Sequence, residues 1–237
     1  MYSSYLHTVF ADNGLHISDS TVNLLEKYTS LLTKWNKRLN LISRRDEENI
    51  TRRHILGSVS FLFKFELRPY SSLIDVGTGG GLPGIPLGIL NPQLRITLID
   101  SIQKKINAVT EMLLELALSN IKAVCARAED LAKKKEFKSA FDYVISRGVA
   151  STGDIVRWTK PFLKTNPSDT AWAPFKPHCQ MVNPGSIILL KGGDLVEEIR
   201  EATLKVKPRS INVYPITIRG SESAPDLVDK KIVVVYP

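Results

Sequence analysis

Apolar side chains recur at spacings of three and four over residues 19–39, where Leu24, Leu25, Tyr28, Leu31, Leu32, Trp35 and Leu39 share one side of a predicted amphipathic helix. Ser18 to Thr21 offer candidate caps at its start. A second helix is predicted over residues 46–65, with Ile50, Ile55, Val59, Leu62 and Phe63 on its apolar side. Neither segment alternates as a strand does, so residues 1–70 are expected to be a helical extension. Pro69-Tyr-Ser-Ser is its junction with the rest.

From Leu73 the period changes. Short apolar runs at 73–77, 95–100, 121–125, 141–146 and 186–191 read as strands, and 102–118 between them reads as a helix with Ala108, Met112 and Leu116 on one side. Two more β-rich runs, 211–218 and 231–236, follow without a convincing long helix between them. A mostly parallel, seven-stranded sheet closed by a hairpin-like pair is the layout of the class I, Rossmann-like α/β fold of methyltransferases. Dehydrogenases of the dinucleotide type usually continue βαβ instead. Residues 71–237 are thus expected to form the catalytic domain, compact with the 1–70 extension.

The first strand runs into Gly77-Thr-Gly-Gly-Gly-Leu-Pro-Gly84, and the second ends on Asp100. Glycines let a backbone approach a ligand and take positive φ without a Cβ penalty. An acid at the next strand tip can accept both ribose hydroxyls, which points to an adenosine cofactor. Gly79-Gly-Gly-Leu-Pro-Gly84 also satisfies the dinucleotide pattern, so a nicotinamide dehydrogenase stays open. Asp75 inside the strand argues for a methyltransferase. So do Pro83 and Pro86, which delay the following helix and remove N–H groups that a pyrophosphate would use.

Composition narrows the setting. An apolar fraction of 43% and a charged fraction of 24% are those of an ordinary soluble globule. No apolar run approaches the roughly 20 residues of a membrane span, and the first residues lack the layout of a signal peptide. Cys125 and Cys179 are too few for a disulfide framework or a zinc site, so no metal is expected and the cytoplasm is the expected location. The net charge of +8 favours a polyanion, with solvated helix faces as the plain alternative. Its local concentration is Lys34, Lys37, Arg38, Arg44, Arg45, Arg52 and Arg53 against Asp46, Glu47 and Glu48. The stretch 161–185 holds five of the thirteen prolines, with Trp172, Phe175 and Met181; it reads as a surface insertion or a binding loop.

Several segments in order carry a more specific likeness: Lys34-Trp-Asn-Lys-Arg-Leu-Asn-Leu-Ile-Ser43, Arg53-His-Ile-Leu-Gly-Ser58, Ile74 to Leu87, Arg127-Ala-Glu129, Ser146-Arg-Gly-Val-Ala-Ser151 and Leu190-Lys-Gly192. Through them the chain resembles the bacterial small-subunit (16S) ribosomal RNA guanine-N7 methyltransferases, the glucose-inhibited division protein B family. Gly57 stands where that family usually has Asp, and Gly148 where it usually has Ala.

The resemblance implies S-adenosylmethionine as cofactor, contacted around Gly77, Leu82, Ala128, Glu129 and Arg147. The residues suit that role. Gly77 and Gly79 would admit the methionine portion, Asp100 would hold the ribose, and Ala128-Glu129 would border the adenine; Asp75 joins this set. Asp100 has a helix cap as its alternative role, and Glu129 a first-turn acid facing a helix dipole. Guanine N7 carries a lone pair and no proton, so alignment suffices and no general base is needed. Arg147, at the end of the fourth strand, is the residue assigned to catalysis. It would shape the pocket and place the guanine, with a salt bridge to Asp75 or Glu129 as alternative. Lys34, Lys37, Arg38, Asn36, Asn40, Arg53, His54, Arg127 and Lys191 are candidates for the RNA-facing rim. Asn40 has a helix C-cap as its alternative, and His54 a packed polar residue. The partner implied is small-subunit ribosomal RNA within an assembled 30S particle, met by a monomer. A small-molecule methyltransferase and a non-catalytic RNA-binding regulator are the other readings.

Overall fold

A computed structural model describes residues 2–43, 49–165, 179–219 and 229–237. The chain opens with two helices, α1 (Tyr2–Asp12) and α2 (Asp19–Asn36). The Ser18 hydroxyl caps α2 by accepting the Thr21 N–H at 3.2 Å. α1 was not anticipated from the pattern. α2 stops three residues short of its predicted end, because the Asn36 side chain takes the N–H groups of Leu41 and Ile42 and turns the chain back.

The predicted second helix is irregular and shorter. A π-helical stretch Ile50–Leu56 passes into one α-helical turn, α3 (Gly57–Val59), and then a 3-10 turn, Ser60–Phe63. The apolar spacing follows that tightening. Ile50 to Ile55 is five residues, Ile55 to Val59 four, and Val59 to Leu62 three. Each step therefore returns to the same buried side at its own local period. Residues 46–48 of the predicted helix lie outside the described residues, as do Arg44 and Arg45 of the basic cluster. Phe65 belongs to a short strand, β1 (Phe65–Leu67).

The main sheet follows: β2 (Ser72–Val76), α4 (Gly84–Leu90), β3 (Arg95–Asp100), α5 (Gln103–Glu115), β4 (Ile121–Cys125), α6 (Ala128–Leu131), β5 (Tyr143–Arg147) and α7 (Thr152–Thr159). Then come β6 (Gln180–Val182), β7 (Ser186–Gly192), α8 (Val196–Val206), β8 (Ser210–Pro215) and β9 (Lys230–Tyr236). The order across the seven-stranded sheet is β4-β3-β2-β5-β7-β9-β8. Among the described residues only the pairs β7·β9 and β8·β9 are antiparallel. β6 stands apart and pairs in parallel with β1, a two-stranded sheet that the sequence reading did not foresee. Tyr143 ties it to the main sheet, donating to the Val182 carbonyl and accepting the Arg68 N–H. Trp172 and Phe175 of the proline-rich stretch lie outside the described residues.

Both faces of the sheet are covered, which is why its strands read as unbroken apolar runs. Leu73, Ile145, Ile188 and Val234 point into one core with α1, α2, α4 and α5. Ile74, Val144, Leu189 and Val233 point into the other with α6, α7 and α8. The helical extension thus shares the core of the first face. The parallel register brings the carboxyl ends of β2, β3, β4 and β5 to one edge, with Asp100 opposite Cys125 and Arg147 opposite Leu190. In an open α/β sheet that edge is where a ligand binds.

Candidate active site

The turn after β2 is built around a buried acid. Asp75 is fully buried, and its Oδ2 accepts the Thr78 hydroxyl at 2.7 Å and the Gly84 N–H at 2.9 Å. Its Oδ1 is buried without a hydrogen-bond partner. Burial pushes the carboxyl up to about 7, against those two hydrogen bonds and the Arg147 charge. Asp75 therefore lies beneath the glycine turn and shapes it; it does not face the cleft, a correction to its expected place in the cofactor set. The reason is packing. A Cβ at Gly84 would come within 2.1 Å of Leu98 and 2.9 Å of Asp75 Oδ2, so the turn sits directly on the acid.

Above that turn opens a cleft of about 450 Å³. Gly77, Gly79, Leu82, Asp100, Ala128, Glu129 and Arg147, the residues expected to hold the cofactor, all line it. Arg127, assigned to the RNA-facing rim, lines it too. Gly77 has φ +74°, and a Cβ there would come within 2.3 Å of Val149, so only glycine fits against the turn that follows β5. Asp100 Oδ2 accepts the Gly79 N–H at 3.0 Å and Oδ1 the Ile102 N–H at 2.9 Å. It thus joins the glycine turn to the approach to α5, whose N-cap is Ile102 and carries no side-chain cap, so the helix-cap role weighed for Asp100 is not the one it performs. Each oxygen keeps acceptor capacity toward the cleft.

Sequence reasoning missed Leu41, Ile102, Lys105, Val149 and Trp158 in the lining. Leu41 is the instructive case. Asn36 Oδ1, which accepts the Leu41 N–H at 2.8 Å and the Ile42 N–H at 2.9 Å, folds Leu41 over the glycine turn. The Tyr28 hydroxyl, buried in α2, donates to the Gly80 carbonyl at 3.0 Å. Asn36 is itself buried, which removes it from the rim; the C-cap of α2 is Lys37, so Asn40, which is exposed, does not take the cap role weighed for it. The signal was present in the Asn-Lys-Arg-Leu-Asn-Leu-Ile segment, but its two asparagines lie four residues apart and the sequence does not say which of them turns inward.

A second cavity of about 510 Å³ adjoins the first and shares Arg147 and Gly148 with it. It gathers Arg53, His54 and Lys191 from the predicted rim, together with Gly57, Leu190, Gly192, Ile216 and Lys230. Both positions that depart from the family pattern, Gly57 and Gly148, line it. Arg147 is half-buried and donates from Nη2 to His54 Nδ1 at 3.1 Å, so the extension and the sheet meet at the boundary of the two cavities. Lys191 is less available than expected. Its Nζ lies 2.6 Å from Glu198 Oε1 and donates to the Ala150 carbonyl at 2.7 Å. Lys34, Lys37, Arg38 and Asn40 lie on the exposed end of α2 and beyond it, lining neither cavity. The Arg38 guanidinium is 5.6 Å from the Trp35 ring centroid.

The family described as rRNA small subunit methyltransferase G (GidB) matches residues 21–171. A protein named ribosomal RNA small subunit methyltransferase G from Alkaliphilus oremlandii (strain OhILAs) is 33% identical over 194 residues, 82% of this chain and 74% of its own. Its namesake from Clostridium botulinum (strain Alaska E43 / Type E3) is 30% identical over 229 residues, 95% of this chain and 88% of its own. Among solved structures, an S-adenosylmethionine-dependent methyltransferase from Aquifex aeolicus superposes with a TM-score of 0.50 at 15% identity, over 86% of this chain and 97% of that one. That last likeness concerns the fold alone.

Proposed function

This chain belongs to the rRNA small subunit methyltransferase G family, and from that premise we propose that it transfers a methyl group from S-adenosylmethionine to N7 of a guanine in small-subunit ribosomal RNA. One observation carries the reading: the cleft with the acid-tipped strand and the basic second cavity adjoin at Arg147 and Gly148.

The residues of the first cleft fit the cofactor. Asp100 offers acceptors to a ribose diol, the turn from Gly77 to Gly80 presents backbone to the methionine portion, and Ala128 and Glu129 border the adenine. When bound, S-adenosylmethionine supplies an electrophilic methyl group. The protein's own work is then placement and the exclusion of water. Leu41, Val149 and Leu82 provide apolar walls. Arg147 can donate to guanine O6, which leaves the neighbouring N7 lone pair for attack. N7 carries no proton, so no general base is required.

The second cavity would receive the target guanine, with Arg53, His54 and Lys230 around it. Arg127 and Lys105 at the cleft mouth, and Lys34, Lys37, Arg38 and Asn40 at the end of α2, would meet the surrounding phosphates. The acceptor is the assembled 30S particle, and the enzyme is a cytoplasmic monomer in which residues 1–70 and 71–237 act as one unit.

Arg147→Ala tests the assignment. Transfer to unmodified small subunits should fall by about a hundredfold or more, while the variant stays folded and still binds S-adenosylmethionine in calorimetry. Full activity in that variant would remove Arg147 from the mechanism.

A further inference from the structure

The turn that separates the two cavities is held from behind. Residues 147–151 connect β5 to α7 and carry Arg147, Gly148 and Val149 into the cleft. Such a turn needs partners for its backbone groups. Two residues outside it, Glu198 and Lys191, bond the last part of the turn and the first residue of α7. Glu198, on α8, accepts on Oε1 the Thr152 N–H at 2.7 Å and the Thr152 hydroxyl at 2.6 Å. Lys191, at the end of β7, brings its Nζ to the same oxygen at 2.6 Å and to the Ala150 carbonyl at 2.7 Å. One carboxylate oxygen thus gathers three donors, and the ammonium links it to the Ala150 carbonyl, so the pair grips the turn where it enters α7.

The pair is partly sequestered, with side-chain exposures of 13% for Lys191 and 28% for Glu198. Burial alone would raise the Glu198 carboxyl, but the hydrogen bonds from Lys191 and Thr152 outweigh it and hold it below the usual carboxylate range. On the other side of the turn, Val149 fills the space that a Cβ at Gly77 would need, 2.3 Å from it. The turn is therefore pressed against the glycine loop by groups that lie behind it.

We infer that Glu198 and Lys191 are positioning residues, which fix the 147–151 turn so that Arg147 and Val149 stand at the junction of the two cavities. The inference rests on the methyl-transfer reading for its activity readout, but not for its structural one. It also reassigns Lys191: the ammonium is committed to the turn and does not serve as a phosphate contact.

Lys191→Met, Glu198→Ala, Glu198→Gln and the Lys191→Met/Glu198→Ala double variant decide it. Either of the first two should lower kcat about tenfold to a hundredfold, as small misplacements do. Affinity for unmodified small subunits, and its salt dependence, should stay that of wild type. Glu198→Gln keeps an acceptor for Thr152 and should recover most of the rate. The double variant should be no slower than the slower single, because the two residues act as one unit. Hydrogen exchange gives the readout that is independent of activity: amides 148–152 should lose protection in Lys191→Met and Glu198→Ala while the sheet keeps its own.

Three outcomes would overturn the inference. The first is weaker subunit binding with a shallower salt slope in Lys191→Met beside a normal rate in Glu198→Ala, which makes Lys191 a phosphate contact. The second is additive losses in the double variant, and the third is unchanged exchange over 148–152. Wild-type protein that transfers no methyl group at all would defeat the proposed reaction instead, and the exchange data would still decide the clamp.

Discussion

Asp75 shows how much one residue can do without touching a ligand. It is fully buried with one oxygen unpartnered, and burial raises its pKa to about 7 from the ordinary 3.8. The folded protein therefore holds this proton more tightly than the unfolded chain does. The stabilising contribution of the neutral acid is complete below the ordinary carboxylate value and is lost as pH rises through about 7. Asp75→Asn keeps an acceptor for Thr78 and Gly84 and removes the titration. Denaturant unfolding across that window should show wild type losing stability toward neutral pH relative to the variant; parallel curves would contradict the assignment. At this scale the sequence was legible in kind more than in role. Asp75, Asp100 and Arg147 were all picked out, and the last two face the cleft. Asp75 went beneath the turn because the neighbours that bury it, Leu98 and Gly84, come from other elements. Lys191 was misread for the same reason, since Ala150 and Glu198 lie outside its segment, whereas Asn36 finds its partners, Leu41 and Ile42, within its own.

Among elements, α2 is the one whose function exceeds its pattern. Its apolar side packs into the core, as the spacing predicted. Two of its buried residues, Tyr28 and Asn36, use their polar groups to reach the glycine turn, one by bonding Gly80 and the other by folding Leu41 over it. Tyr28→Phe leaves the buried Gly80 carbonyl short of a donor and should cost about 1–3 kcal/mol in denaturant unfolding. It should also weaken S-adenosylmethionine binding severalfold in calorimetry. An unchanged affinity would mean that the turn holds its shape without α2. Strands were read well because alternating burial on two faces leaves a plain apolar run; β3 and β4 fall on their predicted residues. The segment 46–65 was read as one regular helix because its apolar residues share a side, while their shrinking spacing records the change of helix type.

For the whole molecule, the strand order puts an acid, a glycine turn and an arginine at one sheet edge, and the extension completes that edge from outside. The class of fold followed from the alternation of elements after Leu73. The second cavity did not, since it draws on residues from Arg53 to Lys230 that only the folded chain brings together. β1 and β6 were equally hidden, because strands of three residues carry too little pattern to be seen. The most direct measurement is transfer from labelled S-adenosylmethionine to small ribosomal subunits that lack the modification. Nucleoside mass spectrometry and chemical cleavage at N7-methylguanine would read it out. The account predicts one new N7-methylguanine per particle. Label on another nucleoside, or none from protein that demonstrably binds the cofactor, would contradict it.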